Sequence, residues 1–453
     1  MRDKFFSKTA LKGTSKRKRI TFDKFSTIGR ASGEGTLCAI DAMNCTTADG
    51  KLAAGVGLSV YNTAGKKEVS YLKETEPTMY YTYKDYQKGL DYVGLMNKSG
   101  EMMYIDENNW SIKIFKSFSS EMHVYNCVWR DLEEAMLAVG EAGFFSYRKT
   151  GNLQSDLKGI HCACECRDRF FICYDKNVVR YSEPLLFMHL NQTLDGSGRL
   201  YLPSNLGEPV AMVAYSQNVY IFYPYHIIEI KTAGAARDFK VGSLPYTGGK
   251  ITKNGARVFG DKLLFLAEDG VYIFDGNTIK KGYEELNIQT KTGSDICNNA
   301  IVNGKLLLRY VNRAGADATV VLYPDGKYGY FTTPLRGLGD HQGRVFCVYK
   351  NKMYNVQENA YIPSGEFRYF HSAEQDFGRF GVKTLKALHF EGVGAVDIDV
   401  YVDGVKKTER PYVRFVDGKA TLRFDLRGES FAFLFWVGTG TELWRMTAEV
   451  EYV

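Results

Sequence analysis

The sequence predicts an all-β protein: a β-propeller of six or seven blades with a C-terminal antiparallel β-sandwich and a basic N-terminal arm. Three observations point there. In 453 residues, Gly 45, Tyr 31 and Phe 28 stand against only 10 Pro, so turn formers and strand formers are both abundant. Short apolar runs split by polar hairpin tips recur roughly every 40 residues, the length that a four-stranded blade with its turns requires. Near residue 366 the texture changes to strict alternation, which implies one buried face and one wet face. The predicted domains are therefore an arm over 1–30, a propeller domain over 31–365 whose blades fill 55–365, and a sandwich over 366–453.

The arm is defined by charge. Residues 1–30 hold ten Lys or Arg and two Asp, a net of +8, while the rest of the chain carries a net of −2. A block of like charge with few apolar anchors is expected to be disordered alone and to order against an anionic partner, nucleic acid or an acidic protein surface. Lys12, Lys16, Arg17, Lys18 and Arg19 are the candidate contact residues.

The blade pattern is clearest from Ala256 to Gly276, where a strand, a Gly260-Asp261 turn, a strand, an Asp269-Gly270 turn and a third strand follow in order. Comparable tips lie at Asn97–Gly100, Gly140–Gly143, Cys166–Arg169, Ser216–Asn218, Asn303-Gly304 and Gln342-Gly343. With only four Trp and no Gly-His…Trp-Asp pair per unit, the repeat is not of the WD40 kind.

In the sandwich, Val396, Ile398, Val400 and Val402 alternate with Asp397, Asp399 and Tyr401. Leu422, Phe424 and Leu426 alternate likewise, as do Met446, Ala448, Val450 and Tyr452. Asp403-Gly404 and Asp417-Gly418 supply tight turns, and Phe431–Val437 is apolar enough for a central strand.

A composition of 45% hydrophobic and 24% charged residues excludes wholesale disorder. No stretch approaches the roughly 18 apolar residues of a membrane helix. The N-terminus has no apolar h-region, so synthesis and folding in the cytoplasm are expected, with nine cysteines reduced and mostly buried.

No constellation reads as an enzyme, a metal centre or a cofactor site. Cys162, Cys164 and Cys166 lie on one strand face in a line about 13 Å long, which cannot wrap one tetrahedral ion. Asp397 and Asp399 read as the solvated outer face rather than an acid/base pair. His371, Ser372, Glu374 and Asp376 are sequence neighbours, which triad members rarely are, and there is no Gly-x-Ser-x-Gly elbow. Gly65-Lys66-Lys67 and Gly249-Lys250 lack the spacing of a phosphate loop.

Leu37–Gly57 resembles the opening of phage tail-hub and packaged-DNA stabilisation proteins, in which an acidic-small-aliphatic-Asn stretch precedes a short hairpin. The segments Asn177–Pro184, Leu200–Pro203, Gly207–Tyr215, Val219–Phe222 and Ile227–Ile230 are similar to that family's succession of blade strands, and Phe265–Gly276 is its most recognisable piece. The resemblance spans roughly 35–365 and leaves out the arm and the sandwich. It implies a virion structural protein of the tail, assembled in the host cytoplasm as a homo-hexameric ring against a portal or adaptor ring and other tail proteins. Such a ring joins head to tail and retains packaged DNA, with that DNA or the portal as the alternative neighbours of the arm and with no membrane insertion. Two alternatives remain: a receptor- or carbohydrate-binding tail-tip module using Met79-Tyr-Tyr-Thr-Tyr83 as a stacking loop, and a propeller glycosidase.

Overall fold

The computed structural model describes residues 16–26, 35–47, 50–60, 76–128, 133–155, 157–190, 196–286, 288–291, 297–331, 335–358, 360, 362 and 367–452. The chain divides into two compact units: residues 57–358, and a second drawn from 1–56 together with 359–453.

The unit over 57–358 is a seven-bladed propeller. Among the described residues it has seven four-stranded runs in which sequence neighbours pair antiparallel. Their innermost strands are Pro77–Asp85, Met122–Val128, Ile160–Cys166, Ala211–Tyr215, Ile251–Phe259, Cys297–Val302 and Arg336–His341. Each blade lies against the next, and the seventh lies against the first, so the ring is closed. The seventh blade takes its outer strand, Val56–Val60, from upstream of the first blade, beside Lys352–Glu358. The chain therefore enters and leaves the propeller through adjacent strands of one blade.

The hairpin tips explain the repeat. Arg167 and Asp168, Ser216 and Gln217, Asn303 and Gly304, and Gln342 and Gly343 all have φ between 45° and 73°, as type I′ turns demand at both central positions. One turn differs from the sequence reading. Ala267 pairs with Gly270, so the tip is Glu268-Asp269 and Gly270 opens the following strand.

Blades are glued face to face by apolar clusters. Tyr80, Leu95, Met103 and Ile105 of the first blade meet Phe346, Val348 and Met353 of the seventh, so the closing seam is as apolar as the others. The run Met79–Tyr83 is not a loop. It lies in the strand Pro77–Asp85 with Tyr80, Tyr81 and Tyr83 buried, which removes it as a sugar-stacking platform.

The second unit is a two-sheet sandwich built from both ends of the chain. One sheet holds Lys16–Phe22, Glu442–Tyr452, Lys383–Val393 and Lys419–Gly428, extended by Leu52–Ala54 and Cys45–Thr46. The other holds Thr36–Met43, Tyr369–Ser372, Phe431–Val437 and Ala395–Val402, with Phe431–Val437 central as its composition predicts. Phe22, Phe25 and Leu37 share one core with Phe370, Ile398, Phe433, Leu388 and Val450.

Three expectations need correction here. The sandwich is not confined to 366–453, and the stretch 16–26 is not a separate arm. Lys16–Phe22 pairs along its whole length with Phe22 opposite Met446 and Lys16 opposite Tyr452. The reason is the period-2 pattern hidden beneath the charge: Ile20 and Phe22 face the core while Arg17 and Arg19 face outward. Lys12 lies outside the described residues. The third correction concerns Asp399. It is 1% exposed, because the segment after Val405–Lys406 folds back over it. Among the described residues, no helix is long and apolar enough to cross a membrane.

Candidate functional site

The innermost strands of the propeller surround a central cavity of about 530 Å³. Its walls come mainly from the first halves of those strands, so chain direction decides which side chains reach it. Glu121 and His123 come from the second blade, Lys253 and Arg257 from the fifth, Asn298 from the sixth and Asp340 from the seventh. Lys98 joins them from the turn after Leu90–Asn97.

Beside the cavity lies an ion cluster built around one buried arginine. Arg309, 2% exposed, donates through Nη1 to Glu76 Oε2 at 2.8 Å and to Asn298 Oδ1 at 3.0 Å, and through Nη2 to Asp317 Oδ1 at 2.9 Å. Arg336 Nε approaches Glu76 at 3.5 Å and Asp317 at 3.9 Å. The Gly337 N–H donates to Glu76, and Tyr80 donates its hydroxyl to the Gly337 carbonyl at 2.8 Å. These bonds join the sixth, seventh and first blades, where the circle closes. A second bridge runs along the cavity wall: Arg257 donates to Asn299 Oδ1 at 3.0 Å and to Asp340 Oδ2 at 2.5 Å, while Asp340 also accepts from the Ile301 N–H.

Burial holds His123 below its ordinary value, with Lys253 adding to the effect and Glu121 opposing it. Burial also pushes the Cys297 thiol up to about 12 against the pull of Arg309.

Lys16, Arg17, Lys18 and Arg19 are exposed on the outer strand of the sandwich. Arg17 and Arg19 share one carboxylate, Glu449, at 3.3 and 3.4 Å. Partial burial pushes the Glu449 carboxyl up, but His389, Arg19 and Arg17 together hold it below the usual range. Lys16 and Lys18 have no ion-pair partner among the described residues.

Cys162, Cys164 and Cys166 are buried in the cluster shared by the third and fourth blades. Burial raises all three thiols, and no metal-binding group of His, Cys, Asp or Glu is found among the described residues. Ser372 accepts from the Phe433 N–H and His371 lies against the Tyr401 ring, so these two neighbours serve separate packing roles.

Sequence reasoning missed Glu76, Arg257, Arg309 and Asp340. One signal was present: Arg309 interrupts Leu306-Leu-Leu308 and Tyr310-Val311, and a charge inside a strand that apolar needs a buried partner.

No family model matches the chain, and no curated protein matches it. Solved structures similar to it include BBS1N in complex with ARL6DN, at 9% identity and a TM-score of 0.44, covering 68% of this chain and 98% of that one. The β-propeller domain of Myceliophthora thermophila Cps50 (Swd1) is 10% identical with a TM-score of 0.42, covering 66% and 98%. The extracellular domain of BT4673 from B. thetaiotaomicron is 11% identical with a TM-score of 0.40, covering 72% of this chain and 43% of that one.

Proposed function

We propose that this chain is a structural protein of a phage virion, one subunit of a ring of about six in the tail hub or nozzle, placed below the portal to join head to tail and retain packaged DNA. The observation that carries this reading is the course of the chain. The propeller sequence lies between two chain ends that together build a sandwich, so every subunit carries two unlike bodies. A closed ring needs heterologous contacts, and two unlike bodies per subunit supply unlike surfaces. The segments that resemble the tail-hub family, from Asn177 to Gly276, fall on the third, fourth and fifth blades.

The path for DNA in this reading is the hole between subunits. A duplex, broader than its own roughly 12 Å major groove, does not fit a cavity sized for a small molecule. Contact with the acidic neighbour, DNA or portal, falls chiefly to Lys12, Lys16 and Lys18, since Arg17 and Arg19 already face Glu449. The glycosidase alternative gains three carboxylates at the cavity, Glu76, Glu121 and Asp340, but arginines hold the first and last. Their role is then to fasten blades rather than to transfer protons.

Mass measurement of the full chain, alone and mixed with the portal protein encoded in the same genome, tests the reading. A species near six times 51.2 kDa, or salt-sensitive association with the portal, supports it. A monomer at every concentration that ignores the portal, or turnover of a glycan, overturns it.

A further inference from the structure

The propeller cavity has the size of a ligand site and an unbalanced set of charges. At about 530 Å³ it falls within the roughly 300–1,000 Å³ typical of small-molecule pockets. Of its three carboxylates, Glu76 is held by Arg309 and Arg336, and Asp340 by Arg257. Of its three cations, Arg257 is engaged by that pairing, whereas Lys98 and Lys253 are exposed and have no hydrogen-bond or ion-pair partner among the described residues. Glu121 alone is left against two ammonium groups. A concave wall of low dielectric concentrates such an excess instead of letting water dissipate it.

Neutral donors complete the lining. The Asn298 amide oxygen is taken by Arg309, which leaves its N–H₂ group to donate. Ala211, Ala256 and Gly339 keep part of the wall small, so a guest is not excluded by bulk.

We propose that the central cavity binds a small multivalent anion, a phosphate- or carboxylate-bearing molecule, with Lys98 and Lys253 as its charge partners and Asn298 as a neutral donor. The site is independent of the virion reading, since it needs only one subunit. Its ligand chemistry is that of a compact anion, because the volume is that of a small-molecule site.

Isothermal titration of the full chain at constant ionic strength tests this, using inorganic phosphate, citrate and glucose as probes. Saturable binding of phosphate, of citrate or of both at one per chain is expected, and the preferred anion identifies the source class. Lys253→Ala and Lys98→Ala each weaken that Kd at least tenfold, Lys253→Arg changes it less than threefold, and Lys158→Ala, outside the cavity, leaves it unchanged. Both target lysines are exposed, so circular dichroism should report native folds for the variants. Absence of saturable binding by either anion, binding that both alanine variants retain, or equal binding of glucose would overturn the assignment.

Discussion

Glu76 and Arg309 stand 233 positions apart in the chain, yet the Glu76 carboxylate accepts from the Arg309 guanidinium at 2.8 Å. The pair is one strut of a cluster that also holds Asp317 and Arg336, and it spans the blades at which the propeller closes. The strand Val56–Val60, just upstream of the first blade in the chain, pairs within the seventh, so the chain itself fastens the ring there. Between the faces of the two blades, the apolar seam, this cluster and the hydrogen bonds of Thr82 with His341 and Gln342 add to that fastening.

Replacing Arg309 by Met should therefore loosen closure. The loss is that of charged hydrogen bonds from a buried guanidinium to carboxylates that keep part of their water, about 1.5–3 kcal/mol. Arg336, largely exposed, replaces little of it. Urea unfolding of the propeller followed by tryptophan emission should show that loss, and a change below about 1 kcal/mol would refute the closure role.

The first strand of the sandwich makes a contrasting pair of predictions. Arg17→Gln with Arg19→Gln should cost under about 1 kcal/mol, since exposed ion pairs contribute little. Phe22→Ala should cost about 3–5 kcal/mol, because Phe22 is 5% exposed within the sandwich core. Thermal unfolding of the two variants separates a charged tail from a structural strand. Equal midpoints would mean that the strand does not hold the sandwich together.

Alkaline pH should destabilise the protein in a defined window. Burial pushes the Cys45 and Cys297 thiols up to about 12, whereas an unfolded thiol ionises near pH 8.5. Between those values the unfolded chain releases protons that the native state retains, so the stabilisation present below about pH 8.5 is lost as pH rises towards 12. Each such thiol steepens the fall by up to about 1.4 kcal/mol per pH unit. Urea midpoints at pH 8 and pH 10 should differ more for the native sequence than for Cys45→Ala with Cys297→Ala. A pH slope unaltered by the double change would contradict the assignment.

What the sequence made legible was whatever local periodicity encodes. Tips such as Asn303-Gly304 and Gln342-Gly343 reveal blades because positive φ at two adjacent residues is a local demand. Val396, Ile398, Val400 and Val402 revealed a buried face for the same reason. Lys16–Phe22 stayed hidden because four consecutive cations mask a two-residue alternation whose partner strand, Glu442–Tyr452, lies at the far end of the chain. The cavity was illegible for a related reason: Lys98, Lys253 and Asn298 belong to three blades, and only ring closure brings them together.

Asp399 carries the last prediction, since it contradicts a simple reading of alternation. Asp397 and Asp399 occupy equivalent outward positions on Ala395–Val402, and both read as solvated. The chain from Lys406 to Arg410 makes them unequal. Asp399 accepts from the Arg410 N–H at 3.0 Å and from Trp436 Nε1 at 3.1 Å, with Lys406 Nζ at 3.0 Å. The Arg410 guanidinium then covers the Trp436 ring at 3.8 Å. Asp397 is only partly buried and has no such partners among the described residues. Asp399→Asn turns one acceptor oxygen into a donor facing donors, so it should cost about 1–3 kcal/mol, whereas Asp397→Asn should stay within about 0.5 kcal/mol. Thermal unfolding with the two variants side by side distinguishes them. If both asparagine variants melted together with the native chain, the folded-back segment would not be latched by Asp399.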